Sequence, residues 1–144
     1  MTTLIWLRDD LRLADHPALT AACSAADGPV VALWIHETRR TDEDNNRHGP
    51  RPLGAATRWW SHRSLQQLAP RLADLGIPLV FTRGDAATIM RRVVDALQPT
   101  VVHWTRRYAP AACRLDAAIK QELTSRTEVH SHPGSLLAEP WLMQ

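Results

Sequence analysis

Several things are scarce in this chain, and each scarcity excludes something. No apolar run approaches the roughly 20 residues a membrane-spanning helix needs, so a helical membrane protein is excluded. The amino terminus lacks the basic-then-apolar layout of a secretory leader, which points to a cytoplasmic protein. There are only two cysteines, Cys23 and Cys113, far apart in predicted helices. They read as free, buried thiols and exclude a disulfide scaffold. The net charge of +2 is too small to argue by itself for nucleic-acid binding. With only 6 glycines, the chain has no Gly-x-Gly-x-x-Gly after its first strand and no Gly-x-x-x-x-Gly-Lys-Ser/Thr. A backbone cradle for phosphate is therefore excluded in the first loop. No Ser-His-Asp or Cys-His arrangement has a supporting context either.

What is present is an ordinary soluble composition, 44% hydrophobic and 22% charged, on 144 residues, enough for one domain with a real core. The pattern alternates strands and helices. Thr3 to Leu7 reads as a strand buried on both faces. His16 to Ala26 reads as a helix, with Asp15 as cap, Pro17 in the first turn, and Leu19, Ala22 and Cys23 on its inner face. A second apolar strand follows at Val30 to Ile35. From His36 to Pro52 the chain is charged and aperiodic, the pattern of a long mobile loop. Gly54 to Leu75 is the longest helix, closed by Gly76. Its stripe of Trp59, His62, Leu65, Leu68 and Leu72 faces the core, and Pro70 should bend or interrupt it near Gln66 to Ala69. Strands at Pro78 to Thr82, Thr100 to Thr105 and Thr127 to Ser131 alternate with helices at Asp85 to Leu97 and Pro110 to Leu123. After His132 no regular pattern remains. Such alternation gives a parallel sheet with right-handed crossovers and helices on both faces.

In such a sheet, ligands bind beyond the carboxyl ends of the strands. The charged loop after the first strand therefore sits where chemistry is placed, with Arg8 and Arg12 able to flank Asp10. The plainer reading pairs Arg8 with Asp10 to hold the turn. Arg83-Gly84-Asp85 reads as a turn with Asp85 capping the next helix. His130 and His132 share one face of a strand, as metal ligands do, but no third ligand stands at a convincing spacing. Trp6, Trp34 and Trp104 belong in the core. Trp59 and Trp60 point in different directions, so one of them is exposed or faces a partner.

Four stretches carry a family resemblance. They are Trp6-Leu7-Arg8-Asp9-Asp10-Leu11-Arg12 followed by Asp15-His16-Pro17-Ala18-Leu19, Arg83-Gly84-Asp85, the Trp104-x-Arg-Arg-Tyr-x-Pro run, and Gly134-Ser135-Leu136-Leu137 before Glu139-Pro140-Trp141. In that order they resemble the amino-terminal domain of the DNA photolyase/cryptochrome family. The resemblance implies a doubly wound, Rossmann-like α/β fold: a five-stranded parallel sheet ordered 3-2-1-4-5. Residues 1–131 would be the antenna domain and 132–144 the start of an interdomain linker, with the FAD-binding helical domain absent.

In that family the helical domain carries FAD and the groove for damaged DNA. The α/β domain often holds a light-harvesting chromophore: 8-hydroxy-5-deazaflavin, methenyltetrahydrofolate or a flavin. The resemblance thus implies an accessory domain, not catalytic alone, whose parent is a deoxyribodipyrimidine photo-lyase or a cryptochrome-type photoreceptor. Its partner would be the helical domain, with damaged DNA reached only through the parent, and with no membrane partner. A free-standing nucleotide-binding α/β protein is the alternative from another class. The antenna residues depart from the family pattern. The folate-type Asn-Glu positions are Ala111 and Ala112, and the deazaflavin-type carboxylate positions are Arg107 and Ala109.

The expected cofactor-binding residues are Leu7, Arg8, Asp9, Asp10, His36, Arg51, Thr105, Arg106 and Arg107. Glu37 and the stretch to Ala109 complete the expected crevice walls. The expectation is a half-open pocket rich in Arg with few opposing carboxylates, where Arg106 and Arg107 meet an anionic tail or phosphate. It should bind a chromophore only at tens of micromolar or weaker. The isolated domain should then purify colourless.

Overall fold

The computed structural model describes residues 1–38 and 52–143. Five strands form one sheet: β1 (Thr3–Leu7), β2 (Val30–Glu37), β3 (Leu79–Gly84), β4 (Val101–Thr105) and β5 (Glu128–His132). All neighbouring pairs are parallel and the order is β3-β2-β1-β4-β5, as expected. The connecting helices are α1 (Pro17–Ser24), α2 (Ala55–Asp74), α3 (Ala86–Leu97) and α4 (Pro110–Leu123), with a 3-10 turn at Pro140–Leu142. No described helix is long and apolar enough to cross a membrane.

β1 organises the sheet because it lies between β2 and β4 and is buried at every position. Successive side chains of a strand point to opposite faces, so β1 feeds two cores at once. Leu4 and Trp6 join Met90 and Val94 of α3 and Ile119 and Leu123 of α4. Ile5 and Leu7 join Ala18, Leu19 and Ala22 of α1 and Leu68 and Leu72 of α2. Each fully buried aliphatic side chain of this kind stabilises the fold by about 1.5–3 kcal/mol relative to exposure.

Helix ends follow local chemistry. Asp85 caps α3 as expected, accepting from the Thr88 N–H at 2.9 Å. Gly76, at φ +73°, ends α2: its N–H donates to the Ala73 carbonyl and the Ile77 N–H to that of Leu72. Both bonds suit a left-handed residue just past the helix, and Leu72 and Ile77 are buried together beneath them.

Some expectations are corrected. The cap of α1 is His16, whose Nδ1 accepts from the Leu19 N–H at 3.1 Å; Asp15 instead takes the left-handed conformation at φ +51°. Cys23 and Cys113 are exposed, because the inward stripes are taken by Ala18, Leu19 and Ala22 on α1 and by Ala112, Asp116 and Ile119 on α4. α2 continues through Pro70 without a break. Its carboxyl half alone meets the core, so Trp59 and Trp60 are 60% and 68% exposed and His62 is exposed as well. Trp6 and Trp104 are core residues, but Trp34 is only half-buried. Residues 39–51, which make up most of the segment read as a mobile loop, lie outside the described residues, and Arg51 with them.

Candidate functional site

Strand order reverses beside β1, so the connections leaving β1 and β4 run to opposite faces of the sheet and leave a crevice past the carboxyl ends of the strands. A cleft of about 520 Å³ occupies it. That volume suits a drug-sized ligand. Its walls come from the loops after β1 and β4, the end of β2, Leu53 and Ser61 before and within α2, and the strap after β5.

Arg8 lies one residue past β1, on the face of Leu4 and Trp6. Its guanidinium carbon stands 4.2 Å from the Trp6 ring centroid, and Trp6 meets Trp104 edge to face at 5.6 Å. Arg8 donates through Nη1 and Nη2 to the two oxygens of Asp116, at 3.2 and 2.9 Å, and through Nη2 to the Thr105 carbonyl at 2.6 Å. Burial pushes its pKa down and Asp116 opposes that shift. Arg107 shares the same carboxylate and extends the chain outward, donating through Nη1 to Glu37 at 2.7 Å. Burial lowers the Arg107 pKa, but Asp116 and Glu37 outweigh it and the net shift is upward. The result is a continuous run from Arg8 to Asp116 to Arg107 to Glu37, with charges balanced along it.

Asp10 closes the loop beneath. Its Oδ1 accepts from the Arg8 N–H at 2.9 Å, and its Oδ2 accepts from the Thr105 hydroxyl. His16 Nε2 stands 3.0 Å from the same Oδ2. Because His16 Nδ1 already accepts from the Leu19 N–H, the ring proton belongs on Nε2, facing the carboxylate. Burial alone would raise the Asp10 pKa, but His16, the Thr105 hydroxyl and the Arg8 N–H together hold it well below the usual carboxylate range.

The outer wall is a strap. Pro133 to Leu136 line the cleft, and the strap is tied down by Glu139, buried at 7% exposure. Glu139 Oε1 accepts from Arg106 Nη2 at 2.9 Å and from the Tyr108 hydroxyl at 2.7 Å. The Gly134 N–H donates to Tyr108 Oη at 2.9 Å. A Cβ at Gly134 would stand 2.5 Å from the Arg106 carbonyl oxygen, so only glycine allows this approach.

Beside the cleft, His103 of β4 stacks on His130 and leans on His132, with ring centroids 5.4 and 5.2 Å away. His103 Nδ1 and His132 Nε2 are 2.9 Å apart and hold one proton between them. Burial and the two neighbouring rings push His103 down to about 4. Only His103 and His130 are stacked, His132 being tilted, and the described residues contain no three-ligand metal group.

Of the expected residues, Arg8, Asp9, Asp10, Thr105, Arg106 and Arg107 line the cleft. Leu7 does not; its side chain is buried in the α1 and α2 core. His36 is half-buried against Trp34 at 6.0 Å between ring centroids and is not part of the lining, whereas Glu37 is. The expected flanking of Asp10 by guanidiniums does not occur. Arg8 turns to Asp116, and Arg12 donates to the Ala14 and Asp15 carbonyls. The expected shortage of carboxylates is also corrected, since Asp116, Glu37 and Glu139 already engage Arg8, Arg107 and Arg106.

Asp116 and Glu139 had no sequence-based role. Asp116 had a signal nonetheless: an acid on the stripe of Ala112, Ile119 and Leu123, where only a partnered charge is tolerated. The donor set suits a flat, partly apolar ligand against Trp34, Leu53, Tyr108 and Leu136. It does not suit FAD, whose pyrophosphate would find neither a glycine cradle nor an unengaged inner guanidinium among the described residues.

A family model described as DNA photolyase matches residues 3–144. The deoxyribodipyrimidine photo-lyase of Agrobacterium fabrum is 38% identical over 142 residues, covering 98% of this chain and 27% of its own. Cryptochrome-1 of Arabidopsis thaliana is 34% identical over 141 residues, covering 96% of this chain and 19% of its own. Among solved structures, a bacterial class III photolyase from Agrobacterium tumefaciens superposes with a TM-score of 0.84 at 38% identity, over 99% of this chain and 28% of that one. The chain therefore spans about a quarter of the length of these relatives.

Proposed function

The chain belongs to the DNA photolyase family, and from that premise we propose that it is an accessory antenna domain. Its parent would be a FAD-dependent, blue-light-driven photolyase that repairs cyclobutane pyrimidine dimers in the cytoplasm. The observation that carries this reading is the cleft at the strand-order reversal, with its mixed apolar and hydrogen-bonding lining. The ligand is a light-harvesting chromophore: 8-hydroxy-5-deazaflavin, methenyltetrahydrofolate or a flavin. When bound, it absorbs blue light and passes the energy on to FAD in the helical domain of the parent.

This chain's own residues hold and orient that ligand. Trp34, Leu53 and Leu136 offer apolar surface to its rings. Tyr108 and the Thr105 to Arg107 backbone fix the cleft's floor, and the strap from Pro133 to Leu136 narrows its mouth. Arg8, held by Asp116, keeps the β1 and β4 loops together. The helical domain is the expected partner and closes the open side; damaged DNA is reached only through it. A cryptochrome-type photoreceptor is the second reading, favoured by the identity with Cryptochrome-1.

The test supplies the 144-residue chain with reduced FAD, dimer-containing DNA and blue light. The reading expects no FAD retention and no dimer cleavage. Repair by this polypeptide alone would overturn it. Failure of a flavin-loaded parent to repair dimers would move the assignment to the photoreceptor.

A further inference from the structure

The antenna reading leaves open which chromophores the cleft accepts, and the charge pattern around it bears on that choice. An anionic tail needs a cation able to reorient toward it. Arg8 is buried, and its Nη groups are held by both oxygens of Asp116 and by the Thr105 carbonyl. Arg106 is held by Glu139 and by the Ser131 carbonyl at 2.7 Å. Arg107 is held between Asp116 and Glu37. At the rim, Arg12 donates to two main-chain carbonyls, and the exposed Asp9 lies in the same lining. Among the described residues, no inner guanidinium is left for a ligand.

Resting on the chromophore reading of this site, we propose that the cleft discriminates against chromophores with phosphorylated tails, and that Glu37 sets this preference by occupying Arg107. A ligand phosphate would have to displace a carboxylate already tethered beside the guanidinium, at an effective concentration no free ligand matches. Without that displacement it would give up its own hydration with no charge partner.

Glu37 is the natural control point among the three carboxylates. Its side chain is 21% exposed, against 11% for Asp116 and 9% for Glu139, and among the described residues it bonds Arg107 alone. Replacing it turns one guanidinium face toward the cleft while Asp116 keeps the other. A charge-assisted bond gained in this way raises affinity by about tenfold or more.

The experiment compares riboflavin with FMN, which share a ring system and differ by one phosphate. Dissociation constants are measured by fluorescence for the unmodified chain and for Glu37→Gln. In the unmodified chain FMN should bind no tighter than riboflavin. In Glu37→Gln the ratio of the two constants should swing toward FMN by about tenfold, and the swing should shrink in about 0.5 M salt. FMN binding tenfold tighter than riboflavin in the unmodified chain would overturn the proposal while leaving the antenna reading intact.

Inorganic pyrophosphate gives a readout that needs no chromophore. It should raise the melting temperature of Glu37→Gln and leave that of the unmodified chain unchanged. An equal rise in both would refute the selectivity. If neither flavin binds but pyrophosphate behaves as stated, the charge argument stands and flavins are struck from the antenna's candidate ligands.

Discussion

Asp116→Asn is the perturbation that probes the site's architecture most sharply. The carboxylate accepts four guanidinium hydrogen bonds, two from Arg8 and two from Arg107. Arg8 is 6% exposed and lies over the Trp6 ring, so it cannot turn to water when its partner is neutralised. Removing one member of a buried pair typically costs about 3–5 kcal/mol, because the remaining charge stays buried and uncompensated. Asn keeps the shape and one acceptor, which places the expected loss near 3 kcal/mol. With a urea m-value of about 2 kcal/mol/M for a domain of this size, the unfolding midpoint should fall by about 1.5 M. Circular dichroism in urea reads this directly. The double replacement Arg8→Met with Asp116→Leu should lose clearly less than Asp116→Asn alone, since it removes both charges and leaves Arg107 with Glu37. A loss below about 1 kcal/mol for the single variant, or strictly additive losses in the double, would refute the claim that this pair locks the β1 and β4 loops together.

Other expectations follow from the same contacts. His103 is held near a pKa of about 4, below its unfolded value of 6.5, so the unfolded chain binds more protons between those two pH values. Stability should therefore fall as pH drops below 6.5, by about 1 kcal/mol at pH 5 after allowance for solvent screening; His103→Leu should flatten that slope in urea titrations at stepped pH. Gly134→Ala puts a Cβ against the Arg106 carbonyl and should cost about 1–3 kcal/mol, with Trp141 fluorescence reporting release of the strap. Trp59→Ser and Trp60→Ser, on the exposed half of α2, should change stability by less than about 0.5 kcal/mol, and a larger loss would mean that half of the helix is packed.

The sheet was legible because its signals are periodic and local. Apolar runs such as Leu4 to Leu7 and Val101 to Thr105 are bounded by turns, and Pro110 and Asp85 mark helix starts as their chemistry requires. What escaped was set by tertiary context. Asp15 has the right chemistry for a cap, yet His16 takes the role because its second nitrogen also faces Asp10. The stripe on α2 has the right spacing at Trp59 and His62, but only Leu65, Leu68 and Leu72, farther along the helix, are buried against the core. The location of the cleft could be read from topology alone. Its charge balance could not, since Arg8 and Asp116 are 108 residues apart in sequence and Arg107 and Glu37 are 70 apart.

The central claim is that the cleft beyond β1, β2 and β4 holds a chromophore. The most direct measurement is an absorbance and fluorescence titration of the chain with 8-hydroxy-5-deazaflavin, methenyltetrahydrofolate and riboflavin. It is run beside Ser61→Trp, which places a bulky ring in the cleft from the exposed half of α2. The account predicts saturable one-to-one binding of at least one chromophore at tens of micromolar, weakened about tenfold or more by Ser61→Trp with the melting temperature unchanged. Absence of saturable binding by all three up to about 1 mM, a ceiling that corresponds to roughly 4 kcal/mol, would contradict it. So would binding that Ser61→Trp leaves untouched.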